Sequence, residues 1–312
     1  MSEVTALRRR EEHKYGGSPE GIRHHYDIGN EFWRLMLGPS YTYSAALFAN
    51  PNDDLETAQL RKINWHLTSA SVQEAASVLE VGCGWGTILT RLNRLANIRR
   101  VVGLTLSEAQ ADHLNGLGLE KVEVKVENWA NYQPSETFDS IISIGAFEHF
   151  AKPDETQEEK LAVYRDFFER CHRWLSPKGR LSLQTIAYGT MKRHEANEFM
   201  ITEIYPESDL PYLADIVAAV DGLFEVVAVR NDRFDYARSY DEWLRNLRSR
   251  RDEAVRMVGE EQVRRFERFY KLGSVGFRMG KIGLLRFCLR PITRDWRAMG
   301  EPLKLDGSVA LA

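Results

Sequence analysis

The sequence predicts an α/β fold, a mostly parallel sheet covered by helices on both faces. Three observations carry that expectation. The first is the stretch Val78-Leu79-Glu80-Val81-Gly82-Cys83-Gly84-Trp85-Gly86, where a short apolar run passes an acid and gives way to alternating glycines. The second is the amphipathic run after it, with Ile88, Leu89, Leu92 and Leu95 at helical spacing. Strand, glycine turn and helix open a nucleotide-binding α/β unit, because glycine lets the backbone turn sharply and lets a ligand approach where a Cβ would clash. The third is the alternation of apolar runs and amphipathic segments downstream, the pattern of parallel strands joined by crossover helices.

In chain order, residues 1–20 are charged and punctuated by Gly, Ser and Pro, and read as a mobile lead-in. Residues 21–75 read as a helical cap before the α/β core. Within it Phe32, Trp33, Leu35 and Met36 fit a helix with Asn30 as N-cap and Gly38-Pro39 as its stop. Tyr41–Phe48 is a polar-aromatic loop. Asp54–Ala70 is a second helix, with Leu55, Leu60, Ile63 and Leu67 on one face. Residues 76–312 form the core. Strands are expected over Arg99–Leu106, Val122–Val126, Phe138–Ile144, Arg180–Ile186 and Phe224–Asn231. Ser107 caps a helix carrying Gln110, and Leu161–Leu175 is a helix ended by Ser-Pro-Lys-Gly. In such sheets ligands bind outside the carboxyl ends of the strands, where Gly82–Gly86, Thr105–Gln110, Trp129, Glu148 and Gln184–Ile186 all fall.

Residues 187–222 interrupt the alternation with apolar residues that include Phe199, Leu213 and Ile216. An insertion of this kind suits a substrate lid, favoured here over a simple extension of the core. Asp232–Tyr236 reads as a turn, with Ser239 capping a helix through Arg248. From Arg245 to Arg297 there are fifteen Lys/Arg against six Asp/Glu. That surplus suits contact with an anionic lipid surface or substrate, and equally a solvated helix face.

Composition sets the remaining bounds. A chain of 312 residues with 43% hydrophobic and 28% charged residues is globular, with room for a large core. Its formal charge of −3 exerts no general pull on nucleic acid, so none is expected as a partner. Cys83, Cys171 and Cys288 are scattered, which makes neither a disulfide framework nor a metal pair; no metal is expected, and a cytoplasmic setting is. No apolar h-region marks a signal peptide, and no apolar run is long enough to span a bilayer. Oligomeric state is not legible.

The glycine spacing narrows the ligand. Dinucleotide sites use G-x-G-x-x-G, whereas Gly82, Gly84 and Gly86 make G-x-G-x-G. This resembles the first motif of S-adenosylmethionine (SAM) methyltransferases. Further marks extend the likeness over roughly residues 24–290: His25-Tyr26-Asp27-Ile28-Gly29-Asn30, Tyr41-Thr42-Tyr43-Ser44, Gly103-Leu104-Thr105-Leu106-Ser107 with Gln110, Ser143–Phe150, and Phe277-Arg278-Met279-Gly280-Lys281-Ile282. Together they resemble the cyclopropane-fatty-acid synthase and mycolic-acid methyltransferase family, whose marks plant alkaloid N-methyltransferases and natural-product C-methyltransferases largely share.

That resemblance implies a seven-stranded, Rossmann-like methyltransferase fold with an N-terminal helical segment and an inserted lid. It implies SAM as cofactor, S-adenosylhomocysteine (SAH) as its product, and a hydrophobic or lipid-like small substrate. Tyr43 and Ser44 would hold the methionine carboxylate end. Gly82, Gly84 and Gly86 would line the amino-acid portion. Thr105, Leu106 and Gln110 would face ribose and adenine, with Trp129 along the purine and Ile144 opposite.

Cyclopropane synthases of this family hold bicarbonate as base. Here Glu148, Ile186 and Tyr236 match that cage, but Ala45 stands where it has a cysteine and Gln184 where it has a histidine. Alanine cannot donate to an anion and glutamine carries no charge, so bicarbonate is expected to bind weakly or not at all. Glu148 then becomes the expected base, with Tyr236 the other candidate. Tyr26, Phe147 and Tyr236 offer aromatic faces to a cation, and His149 is read as a supporting residue.

The expected activity is C-methylation of an unsaturated hydrophobic acceptor, such as a fatty acyl chain, isoprenoid or polyketide-like product, through a carbocation. The rivals are cyclopropane formation or methyl branching on a phospholipid acyl chain, N- or O-methylation of a small molecule, and a SAM-binding protein that catalyses a rearrangement without methyl transfer.

Overall fold

The computed structural model describes residues 29–195, 199 and 209–293. The 1–20 lead-in, Tyr26 and the rest of the His25–Ile28 motif, and most of the middle of the 187–222 insertion lie outside the described residues.

Helix α1 (Asn30–Leu37) is capped at Gly29, so Asn30 is its first helical residue rather than its cap. Helix α2 (Leu55–Ser69) starts where Asp54 accepts a hydrogen bond from the Thr57 amide, satisfying one of the orphan amides of the first turn. Its buried face differs from the expected one. Leu60 is exposed, while Gln59, Lys62 and His66 join Ile63 and Leu67 inside.

The core then alternates: β1 (Ser77–Val81), α3 (Thr87–Asn93), β2 (Arg100–Thr105), α4 (Glu108–Asn115), β3 (Val122–Val126), β4 (Phe138–Ile144), α5 (Gln157–Trp174), β5 (Leu175–Tyr188), α6 (Leu213–Val220), β6 (Phe224–Asn231), α7 (Arg233–Ser249), α8 (Arg251–Val258), α9 (Glu260–Arg278) and β7 (Ile282–Pro291). Helix α5 begins earlier than its apolar spacing suggests, because Thr156 and Glu159 form a reciprocal capping box. Strand β5 runs through the Ser-Pro-Lys-Gly segment read as a stop. The pairing with β4 skips from Phe138–Leu175 to Ser140–Arg180, so a bulge absorbs the extra residues. The segment Asp232–Tyr236 is not a turn. Helix α7 starts at Arg233, because the Tyr236, Tyr240, Trp243 and Leu247 stripe is buried from its first turn.

The sheet has seven strands in the order β3-β2-β1-β4-β5-β7-β6. β1 pairs in parallel with β2 and β4, and β7 runs antiparallel to both β5 and β6. The chain first winds outward from β1 to β3, then restarts on the other side of β1 with β4. A crevice therefore opens at the carboxyl ends of β1 and β4, where connections leave in opposite directions.

Three apolar clusters surround the sheet. One packs α5 and α6 on one face and another packs α2 and α3 on the other. The third is helical and joins the N-terminal cap to the C-terminal helices: Phe32, Trp33 and Met36 of α1 meet Trp243, Phe266 and Tyr270 of α7 and α9. Phe32 and Trp33 both meet Phe266 edge-on, at 5.3 and 5.6 Å between centroids.

Residues 213–220 of the insertion form α6, which packs on α5 with Ile216 in the core, so this end extends the core instead of covering a cleft. Buried Asp209 ties the insertion down. It accepts from Tyr188 at 2.7 Å, pairs with Arg193 at 3.0 Å, and pairs also with Lys160. Much of the C-terminal basic surplus is answered locally, by Arg250–Glu253, Arg251–Glu260, Arg278–Asp241 and Arg290–Glu225 pairs. Among the described residues no helix is long and apolar enough to cross a membrane.

Candidate active site

The glycine turn after β1 is fastened by the Gly82 and Cys83 amides, which donate to Leu104 O at 3.0 and 2.9 Å. Its glycines serve different ends. A Cβ on Gly86 would lie 2.0 Å from Leu114 Cδ2, so this glycine lets α3 approach α4. Gly84 has φ +53° and nothing within 4 Å of where a Cβ would stand, so its missing side chain leaves open space for a ligand. A Cβ on Gly82 would meet the Ala146 methyl at 2.6 Å, which is close packing again.

The turn forms one wall of a cleft at the carboxyl ends of β1, β2 and β4. Nine of the ten residues expected to hold the cofactor line it: Tyr43, Ser44, Gly82, Gly84, Thr105, Leu106, Gln110, Trp129 and Ile144. Gly86 alone does not, for the packing reason above.

Beside the turn runs the loop 41–46, whose residues Tyr41–Ser44 also line the cleft. An irregular buried backbone must find hydrogen-bond partners outside regular structure, and here side chains supply them. Gln59 donates to Ser44 O at 2.8 Å, Arg286 to Ala45 O and Ala46 O at 3.0 Å each, and Ser239 Oγ accepts from the Ala46 amide at 3.0 Å. Tyr43 packs against Trp33 at 4.6 Å and Trp243 at 5.2 Å, which couples the loop to the helical cluster.

At the far end, the Thr105 hydroxyl donates to Gln110 Oε1 at 2.7 Å, which leaves the Gln110 NH2 as its donor end. Trp129 is held by Phe150 at 4.9 Å and by Phe167 edge-on at 5.3 Å, a fixed apolar plate of the size a purine covers.

A buried polar layer lies beneath this cleft, between α2 and the sheet. Lys62 donates to Ser44 Oγ at 2.9 Å. His66 bridges Ser182 Oγ at 2.8 Å and Gln184 Oε1 at 3.2 Å, and burial beside Arg286 and Lys62 holds it neutral, well below the usual imidazole range. The fully buried Arg286 donates to Gln184 Oε1 at 2.8 Å and pairs with Asp232. Burial pushes the Glu80 carboxyl up to about 8 and the Lys62 ammonium down to about 7.

Glu148 sits on the 3-10 turn Phe147–His149 after β4. It does not line the cleft, but its neighbours Gly145, Ala146 and His149 do. Its Oε1 lies 3.8 Å from where a Cβ on Gly145 would stand, and its Oε2 accepts from Thr185 Oγ1 at 3.0 Å. Burial raises its carboxyl to about 7, against the lowering effect of the Glu148 and Ile186 amides and the Thr185 hydroxyl. Burial also lowers His149 to about 4, keeping it neutral.

Ala45, Ile186, Tyr236 and Phe199 share the helical apolar cluster. Tyr236 is packed on Phe277 at 4.6 Å and Tyr240 at 4.8 Å, and is not part of the cofactor cleft. Phe147 stacks on Tyr164 at 4.7 Å inside the α5 core, so the expected aromatic face there is spent on packing.

Lys62, His66 and Arg286 were missed because a charged residue on an amphipathic pattern reads as solvated. The available signal was Gln59, Lys62 and His66 at i, i+3 and i+7, a polar stripe on one helix face.

The cleft fits the expected cofactor on its own chemistry. Two of its lining side chains, Glu80 through Oε2 and Trp85 through Nε1, have buried polar atoms without a hydrogen-bond partner. One is an acceptor and one a donor, and Gly84 leaves room beside them.

The family model for mycolic acid cyclopropane synthetase matches residues 13–287. Cyclopropane mycolic acid synthase 1 of Mycobacterium tuberculosis is 33% identical over 285 residues, 85% of this chain and 95% of that protein. The solved cyclopropane synthase MmaA2 from Mycobacterium tuberculosis is similar with a TM-score of 0.77 at 30% identity, covering 88% of this chain and 98% of its own. The mycolic acid cyclopropane synthase CmaA1 complexed with SAH and CTAB gives the same TM-score of 0.77 at 31% identity, with coverage of 88% and 98%. The chain belongs to the mycolic acid cyclopropane synthetase family and is a SAM-dependent methyltransferase.

Proposed function

We propose that this methyltransferase acts on an alkene within a lipid-like hydrophobic acceptor, and that Glu148 accepts the proton that leaves afterwards. The observation that carries this reading is the position of the Glu148 carboxyl. It lies between Gly145 on the cofactor cleft and Ile186 in the apolar cluster, raised by burial to about 7. An acid held near neutrality beside packed apolar side chains is poised to accept a proton at physiological pH.

Bound SAM supplies an electrophilic methyl on a sulfonium. The chain's residues do the rest. The loop 41–46 and the glycine turn fix one end of the cofactor, and Trp129 and Gln110 fix the other, so much of the rate comes from alignment. The apolar cluster excludes water, which protects a carbocation from hydration and strengthens its attraction to the Glu148 carboxylate. Thr185 holds Oε2 and leaves Oε1 on the Gly145 side.

Bicarbonate is not the base in this proposal. Ala45 contributes only its backbone there, and its carbonyl is already taken by Arg286. Gln184 turns its carbonyl toward Arg286 and His66.

C-methylated alkene is the proposed product. Cyclopropane is the second reading, favoured by relatives named as cyclopropane synthases. A C-methylated alkene, a methylene compound and a cyclopropane all add one CH2. The alkene forms by loss of a proton from a chain carbon, the cyclopropane by loss of one from the new methyl with ring closure, and the methylene compound by a hydride shift followed by loss of a methyl proton. The test is incubation with 13C-methyl-labelled SAM and vesicles of unsaturated phospholipid, or unsaturated free acyl chains. SAH should form in step with a labelled lipid heavier by one CH2, and carbon NMR then separates ring from branch. SAH formed only with amine or hydroxyl acceptors, or a rearranged product without SAH, would overturn the proposal.

A further inference from the structure

Lys62 is a cation set into the wall of the cofactor cleft at 2% exposure. A buried ammonium is costly unless an anion and hydrogen-bond acceptors surround it. Among the described residues its ammonium makes one hydrogen bond, to Ser44 Oγ at 2.9 Å, and forms no ion pair. Glu80 is the acid whose field reaches it, yet Glu80 Oε2 has no partner of its own. The site thus holds a cation and an acid, each only partly satisfied, on one side of a cleft that opens at Gly84.

We propose that Lys62, oriented by Ser44, recognises the carboxylate of the cofactor's amino-acid end. This rests on the reading that the family's cofactor occupies this cleft. SAM and SAH each carry a single anionic group, that carboxylate, and a ligand whose anion lay elsewhere would leave Lys62 unanswered. The ammonium beside it can donate to the orphan Glu80 oxygen, so the amino-acid end answers both groups together. In the water-poor wall such a pairing is stronger than at a surface, and it draws the Lys62 ammonium into its charged form. Lys62 is a binding residue in this account and takes no part in proton removal from the acceptor.

The test uses the full chain and calorimetric titration with three ligands: SAH, its decarboxylated analogue S-adenosyl-3-thiopropylamine, and 5′-methylthioadenosine, which lacks the amino-acid end. In Lys62→Met the SAH affinity should fall on the order of 30-fold or more, the loss expected when one partner of a buried charge pair is removed. The other two ligands should bind within about threefold of the native chain, since neither carries a carboxylate. Lys62→Gln, which keeps a donor and loses the charge, should give the same ordering and guards against a fold defect specific to methionine. Unchanged SAH affinity, or equal losses for all three ligands in both variants, would overturn the assignment. Failure of the native chain to bind any of the three has a different signature, and contradicts the placement of the cofactor itself.

Discussion

Replacing Arg286 with Met is the perturbation whose effect follows most directly from the structure. The guanidinium is fully buried and donates to Gln184 Oε1, Ala45 O and Ala46 O while pairing with Asp232. Methionine fills much of the volume and supplies none of the donors. Asp232 keeps a partner, because Arg230 also contacts it at 2.8 Å, and Gln184 keeps His66. The unrelieved loss is therefore the two carbonyls of the cofactor loop. Each buried carbonyl left without a donor costs about 1–3 kcal/mol, and breaking a buried ion pair falls near 3–5 kcal/mol, so about 3 kcal/mol is the reasoned figure. For a chain of this size the unfolding entropy is on the order of 0.65 kcal/mol per degree, which turns that figure into a fall in Tm of about 5 °C. Differential scanning calorimetry reads it. SAH binding should weaken as well, because the loop bearing Tyr43 and Ser44 loses two anchors. A Tm within about 1 °C of the native chain would refute the view that Arg286 holds this loop.

The glycine turn and the acid give sharper contrasts. Gly84→Val should abolish measurable SAH binding, because the new side chain enters open space in the cleft, while lowering Tm by only about 2–3 °C, since the strain of a β-branched residue at φ +53° is about 1–2 kcal/mol. Gly86→Val should instead unfold or destabilise the chain through its collision with Leu114, and thermal melts of the pair distinguish the roles. Glu148→Gln should bind SAH normally and lower turnover about 100-fold or more in a labelled-methyl assay. In the native enzyme turnover should rise as pH climbs through about 7, where the Glu148 carboxyl ionises. The stability effect has the opposite slope. A carboxyl whose pKa is raised on folding favours the folded state while protonated, so its contribution is present below the unfolded value and is lost as pH rises through about 7. Glu148→Gln should therefore flatten both profiles, as pH-dependent melts and rates would show. Trp129→Ala should weaken SAH binding by about 10- to 100-fold, from the loss of a fixed aromatic plate, and destabilise the fold by about 3–5 kcal/mol, from the cavity left beside Phe150 and Phe167.

Much of the architecture was legible because apolar runs with sharp ends are hard to mistake. Val122–Val126, Phe138–Ile144 and Phe224–Asn231 fall where their patterns put them. β5 was misread at Ser176–Gly179 because proline and glycine mark a bulge as readily as a stop, and only the pairing partner decides. The start of α7 was hidden by the charges of Asp232-Arg233-Phe234-Asp235, although burial of Tyr236, Tyr240 and Trp243 outweighs their turn propensity. The cleft wall was legible from short motifs, because the family resemblance points to Gly82, Gly84, Thr105, Gln110 and Trp129, and all five line one cleft. Lys62, His66 and Arg286 were not, because a buried charge is defined by partners far away in sequence. Arg286 meets Ala45 across 241 positions, and no local pattern encodes that.

The most direct test is a crystal structure of the protein grown with SAH. The nucleoside should lie along the Gly82–Gly86 turn with adenine against Trp129, the amino-acid end between Lys62 and Glu80, and sulfur directed past Gly145 toward the Glu148 side of the apolar cluster. Density for SAH in any other cavity, or sulfur facing bulk solvent with Glu148 behind it, would contradict the account.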